Sequence, residues 1–306
     1  MKTKCKSIIR ATHHSFVGAV CAAVVSLASS TTAQNLFMAD RYNFHVYEFT
    51  PDGMQSTFAS AMGGPVTLAF NGSGDLFVGS MNGGGISRLT PSGAKSPFAS
   101  QAAIALAFNS TGDLFALDYG GGTINEYTPT GVGSTFVSGL HAPSGLAFNS
   151  TGDLFVGDSY GENIIRITPS GGQSTFASGL SSVMGLAFNS AGDLFASDFA
   201  SGNVYEFTPS GVRSTFASGL IHPFGLAFDS AGDLFVADNG NGSYSSGQIY
   251  EFTPSGVQST FYSGFDYQAP AGLAFEGETL PVPEPSALGL LAVSSAALLV
   301  RRRHQI

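Results

Sequence analysis

The sequence predicts an all-β protein: a six-bladed β-propeller of four-stranded antiparallel blades, with the first and last strands sharing one blade. Three observations carry this expectation. The tetrapeptide Gly-Asp-Leu-Phe begins at Gly74, Gly112, Gly152, Gly192 and Gly232, at spacings of 38, 40, 40 and 40 residues. Each unit divides into four short strands separated by turn residues. Both ends of the repeat region are incomplete, and each supplies what the other lacks. A period of about 40 residues marks a propeller or a solenoid. Four strands joined by tight hairpins select the propeller blade over a parallel β-helix.

The unit from Gly145 to Ala177 is the clearest. Strand a is Leu146–Phe148 with its flanks, strand b Asp153–Val156, strand c Asn163–Ile167 and strand d Gln173–Ala177. Asn149-Ser150-Thr151-Gly152 puts glycine where a short hairpin asks for positive φ. Thr168-Pro169-Ser170-Gly171 has Pro second and Gly fourth, the preference of a type I turn. At the start of the region, Gln34-Asn35-Leu36-Phe37 is a degenerate copy 40 residues before Gly74, and the first unit opens at strand b, Leu36–Asp40. At its end, Gly272–Glu276 is a strand a without partners. Joined, they complete a sixth blade and close the ring, which removes free sheet edges.

Alternation along the strands sets the packing. Leu146 and Phe148 point one way, Gly145 and Ala147 the other, so a large face seats against the small face of the next blade. Small residues are also needed where six inner strands converge. Loss of one strand-a phenylalanine, as in Phe188→Ala, is expected to cost about 3–5 kcal/mol. The strand-c column reads Glu48, Arg88, Glu126, Arg166, Glu206 and Glu251 round the ring. The alternating signs predict ion pairs between neighbouring blades, each worth about 0.2–1 kcal/mol.

Composition separates the centre from both ends. The chain has 306 residues, 11% charged and 43% hydrophobic, with 40 Gly, 26 Phe and no Trp. That balance excludes disorder of the high-charge kind and a polytopic membrane protein. Residues 34–280 hold twenty acids against five cations, a net charge of −15. Such a surface repels phosphate backbones, so no nucleic-acid partner is expected. Residues 1–33 read as a signal peptide: four cations, an apolar run from Phe16 to Leu27, and small residues ending at Ala33. Cys5 and Cys21, the only cysteines, lie within it, so the mature protein has no disulfide. Residues 281–306 contain Pro283-Glu284-Pro285, an apolar run Ala287–Val300, and Arg301-Arg302-Arg303. Fourteen apolar residues are marginal for a span, which needs about 20. Helix is expected only in these two end segments.

The C-terminal order of Pro-Glu-Pro motif, short apolar segment and arginine cluster resembles the PEP-CTERM sorting signal of Gram-negative bacteria. The resemblance implies export, a transient inner-membrane anchor, processing by an exosortase, and a destination in the cell envelope or extracellular matrix. The alternative is an ordinary C-terminal anchor. The repeat, seen in Gly-Leu-Ala-Phe-Asp-Ser-Ala-Gly-Asp-Leu-Phe-Val-Ala-Asp at 225–238 and its copies, resembles NHL repeats. It is close to the six-bladed propellers of the SMP-30/gluconolactonase and virginiamycin B lyase groups. Those folds host binding modules, lactonases and lyases alike, so this resemblance fixes a fold and not an activity.

If strand a runs from the upper to the lower face, the d–a links and b–c turns share the upper face. Aspartate recurs there at the end of strand b: Asp40, Asp118, Asp158, Asp198 and Asp238, with Ser80 interrupting. Each carboxylate is expected to cap its own b–c turn; the sharper alternative is an acidic rim for Ca²⁺ or a cationic ligand. The second column (Asp75, Asp113, Asp153, Asp193 and Asp233) falls in the lower a–b turns and reads as turn chemistry. Copies differ most in the d–a links, which offer Gln101, His141, Met184, His222, Phe224, Asp266 and Tyr267. His141, His222 and Asp266 form the one candidate set for a divalent metal. Asn239–Gly247, carrying Tyr244, is about five residues longer than its counterparts in the other blades. Tyr244 and Tyr267, beside small polar residues, suit stacking against a sugar. No catalytic residue is assigned, and no cofactor is expected beyond that metal. The sequence favours a binding or structural module for polysaccharide or a surface protein. The alternative is a metal-dependent lactonase or lyase at the upper channel mouth.

Overall fold

The computed structural model describes residues 33–118, 120–241, 247–265 and 270–277. The signal peptide and the C-terminal segment, with the helices expected there, lie outside the described residues. Within them the chain forms twenty-four strands in six four-stranded sheets. Blade 1 holds β1 (Leu36–Asp40), β2 (His45–Phe49) and β3 (Gln55–Ala59). Blade 2 is β4 (Pro65–Phe70), β5 (Leu76–Ser80), β6 (Ile86–Leu89) and β7 (Lys95–Ala99). Blade 3 is β8 (Ala105–Phe108), β9 (Leu114–Asp118), β10 (Thr123–Tyr127) and β11 (Gly133–Val137). Blade 4 is β12 (Pro143–Phe148), β13 (Leu154–Asp158), β14 (Asn163–Ile167) and β15 (Gln173–Ser178). Blade 5 is β16 (Val183–Phe188), β17 (Leu194–Asp198), β18 (Asn203–Phe207) and β19 (Arg213–Ala217). Blade 6 is β20 (Pro223–Phe228), β21 (Leu234–Asp238), β22 (Gln248–Phe252) and β23 (Gln258–Tyr262). The last strand, β24 (Pro270–Phe275), pairs antiparallel with β1 and completes blade 1 as its inner strand. Inner strands β24, β4, β8, β12, β16 and β20 pack in sequence, and β20 returns to β24. The protein is therefore a closed six-bladed propeller.

Turn chemistry holds each blade at its expected corners. Gly152 has φ 85° and its N–H donates to the Asn149 carbonyl at 3.1 Å. Gly171 has φ 83° and its N–H donates to the Thr168 carbonyl at 2.8 Å. A side chain at either position would favour the opposite sign of φ. Strand b starts one residue later than the sequence suggests, at Leu154, because the Asp153 N–H donates to the Asn149 side chain within the turn.

One apolar cluster fills each of the six blade interfaces. In the interface between blades 4 and 5, Ala147, Phe155 and Ile164 meet Leu186, Leu194 and Phe207. The large-on-small seating is present, with a phenylalanine triad at its centre. Phe155 of strand b makes edge contacts with Phe176 of its own strand d and Phe188 of the next blade, at 4.9 and 5.1 Å between centroids. The same triad recurs at every interface, including the closing one, where Phe235 meets Phe261 and Phe275. In every blade a bulge between strands c and d leaves the strand-d phenylalanine unpaired, as where Ile164 pairs Ala177 but Ile165 pairs Thr175. A bulge re-aims a side chain; here it accompanies the turn of Phe176 toward Phe155. Near the axis, a Cβ on Gly145 would lie 2.6 Å from the Met184 carbonyl of the next inner strand. Glycine is required there by close approach.

The ion pairs differ from the sequence expectation. Arg88 binds Asp75 and Arg166 binds Asp153, each at 2.6 Å and each within its own blade. The strand-c arginine lies above the a–b turn of the same sheet, so its nearest carboxylate is that turn's aspartate. Glu206 and Glu251 instead accept from Ser214 and Ser259 of the adjacent strand d.

Candidate functional site

The upper face is built from the d–a links and b–c turns, and its aspartates act on the backbone. Asp40 accepts from the Tyr42 and Asn43 N–H groups at 3.0 and 3.2 Å, and from the Asn43 side chain. Asp118 accepts from the Gly120 N–H, and Asp158 from the Gly161 N–H. Asp198 and Asp238 also reach the preceding d–a link: Asp198 accepts from the Ser181 and Ser182 N–H groups, Asp238 from those of Ile221 and His222. In blade 3 the Gln101 side chain replaces that link, donating to Asp118 at 3.0 Å while accepting from Asn125 and Tyr127. In blade 2 the Ser80 hydroxyl donates to the Met62 carbonyl. Each side chain fastens the entry of the inner strand or the b–c turn of its own blade.

Burial and charge tune this face. Burial pushes the Asp40 carboxyl above its ordinary value of 3.8, against the lowering effect of its hydrogen bonds. Burial, followed by the neighbouring carboxylates Asp40, Asp118 and Asp238, raises Tyr47, Tyr127 and Tyr250 respectively.

The sequence-predicted residues separate as follows. Asp118, Asp158, Asp198 and Asp238 stand in four different blades, their oxygens turned toward N–H donors. His222 joins Asp238 through its backbone, stacks on Phe199 with centroids 4.2 Å apart, and holds the Gly240 carbonyl with Nδ1 at 2.5 Å. The carbonyl oxygen only accepts, so Nδ1 carries the hydrogen of that bond, and in the neutral tautomer the lone pair falls to Nε2. His141 is exposed on the link into blade 4. Asp266, Tyr244 and Tyr267 lie outside the described residues. Among the described residues, no three His, Cys, Asp or Glu side chains converge to hold a metal ion.

Two features were missed in the sequence. The first is an aromatic rim at the b–c turns: Tyr160 is 80% exposed and Tyr42 63%, with Phe44 also exposed. Three buried atoms at the same turns, His45 Nδ1, Asn163 Oδ1 and Asn239 Oδ1, have no partner among the described residues. The signal was present: an aromatic follows the strand-b aspartate by one or two residues at Tyr42, Tyr119, Tyr160 and Phe199. The second is a throat of about 610 Å³ on the lower face, around the axis. Phe70, Phe108, Phe148, Phe188, Phe228 and Phe275 line it, each preceded by an alanine that also faces it. No charged side chain contributes to that lining.

Fold and site together define an exported propeller with a sorting tail. Residues 281–303 match the PEP-CTERM protein-sorting motif, which implies recognition by an exosortase. No curated protein sequence matches the chain. Among solved structures, a chain of a nidogen/laminin complex superposes with a TM-score of 0.70 at 16% identity, covering 80% of this chain and 100% of its own. Virginiamycin B lyase from Staphylococcus aureus gives 0.60 at 16% identity, covering 80% and 89%. A gluconolactonase from Xanthomonas campestris gives 0.60 at 17% identity, covering 67% and 79%. At these identities the likeness establishes the fold alone.

Proposed function

We propose that this exported propeller is a binding module of the cell envelope or extracellular matrix, taking a neutral polysaccharide across the aromatic rim of its upper face. The observation that carries this reading is the exposure of Tyr42 and Phe44 at the upper turn of blade 1 and of Tyr160 at that of blade 4. An exposed ring offers an apolar face to the C–H face of a sugar, and the tyrosine hydroxyl keeps a polar edge. The net charge of −15 over residues 34–280 disfavours an acidic polymer. The upper aspartates serve the backbone, so binding rests on the exposed rings.

Purified protein is expected to be retarded on neutral glycans, without turnover. Tyr160→Ala and Tyr42→Ala are expected to weaken retention several-fold at an unchanged thermal midpoint. Retention unaffected by both substitutions ends this reading, and specific capture of one surface protein would replace the glycan as partner.

The second reading is a metal-dependent lactonase or lyase. His222 favours it, because Nδ1 donates to the Gly240 carbonyl, the orientation in which a neutral imidazole ligates a metal through Nε2; His141 and Asp266 are the companion residues, with Ca²⁺ or another divalent ion as cofactor. Stoichiometric metal in the purified protein, with turnover of a lactone lost in His222→Ala, would select the enzyme.

A further inference from the structure

The exposed large hydrophobic side chains among the described residues divide between the two faces, with every aromatic ring among them on the upper one. Tyr42, Phe44, Tyr160 and Ile221 stand on the upper rim; Met54, Val132, Val212 and Val257 stand on the lower. The lower four occupy one column, the residue after the c–d turn glycine, and each is 63–69% exposed. The turn itself does not require them. Their backbone N–H groups donate to the turn threonine hydroxyl, but Ala94 and Gly172 make the same bond in blades 2 and 4. The uncharged throat opens on the same face.

The described chain also ends on this face, ahead of the sorting tail. β24 runs downward, its last residue Phe275 lines the throat, and the described chain ends at Gly277. The apolar run Ala287–Val300 begins ten residues further on, a length that spans at most about 35 Å.

We propose that the lower face rests on a lipid bilayer while the tail holds the chain there. Met54, Val132, Val212 and Val257 enter the interfacial layer, and the throat opens onto it. The face also carries Asp52, Asp113, Asp193 and Asp233 in its turns, so it suits a zwitterionic surface and is repelled by an anionic one. The aromatic rim then faces away from the membrane. This inference rests on the tail inserting into the membrane.

The test uses the mature chain, residues 34–306, which contains no cysteine, in phosphatidylcholine vesicles containing a quencher-labelled lipid. Thiol-linked fluorophores are placed by Val132→Cys, Val257→Cys and Tyr160→Cys. The lower-face reporters are expected to be quenched several-fold more than the reporter at 160. Adding Val212→Asp and Met54→Asp should lower that quenching while sedimentation with vesicles persists, and a thermal midpoint confirms folding. Equal quenching at all three positions, with sedimentation intact, overturns the lower-face proposal alone. Failure to sediment overturns the tail's membrane insertion and the proposal with it. Loss of glycan retention bears on neither.

Discussion

The phenylalanine of strand b joins its own blade to the next. Phe155 meets one ring in its own blade and one in the next, and only 3% of it is exposed. Phe188 is partly exposed at the throat. Phe155→Ala is therefore expected to cost about 3–5 kcal/mol and to lower the thermal midpoint more than Phe188→Ala; equal losses would contradict the triad. The strand-a and strand-b rings were legible from alternation. The strand-d ring was not, because the bulge at Phe176 breaks the two-residue period and ordinary residues flank it. Asp40 gives a second expectation. Its folded carboxyl titrates above 3.8, so the folded state holds the proton more tightly than the unfolded chain. Stability should fall as pH rises through the interval just above 3.8, where the buried group must ionise. Asp233, raised by burial and then by Asp229, acts with the same sign. Asp40→Asn is expected to flatten part of this fall in a series of thermal midpoints against pH.

At the scale of strands and turns, one column of charge was legible and its partners were not. The alternation of Glu and Arg along the strand-c positions suggested bonds across blades, because sequence order lists blades side by side. Within a sheet, the next-to-last residue of the c strand projects over the a–b turn, and Arg166 finds Asp153 there. A double-mutant cycle between Arg88→Ala and Asp75→Asn is expected to show coupling of up to about 1 kcal/mol, reduced by salt. The cycle between Arg88→Ala and Glu126→Gln should show none; the reverse result would restore pairing between blades. The capping role of the upper aspartates was read from their glycine- and serine-rich followers. Their hold on the d–a link was hidden because it joins residues 16 or 17 positions apart.

For the molecule as a whole, blade number and closure were legible because two partial units complement each other at the level of single strands. β1 matches the expected Leu36–Asp40, and β24 supplies the missing inner strand. Ending the chain after Phe265 would remove that strand and open the interface of blades 6 and 1, where Leu273 and Phe275 are buried. Such a chain is expected to lose its cooperative thermal transition and to be cut readily in limited proteolysis; a sharp native-like transition would refute the dependence on closure. The candidate site was less legible. Repeats advertise what all blades share, and ligand recognition depends on departures such as Tyr160 that look like ordinary turn residues in isolation.

The placement of β24 also decides how the molecule would bear mechanical load. Its downstream end points out of the ring on the side of the sorting tail, and it is zipped antiparallel to β1. Tension applied through Gly277 along the strand pulls it lengthwise, so its cross-strand bonds are sheared together rather than peeled singly. The neighbouring inner strands β20 and β4 grip its two sides. The ring is thus fastened to its leash by a strand that is paired along its edge and clasped on both faces.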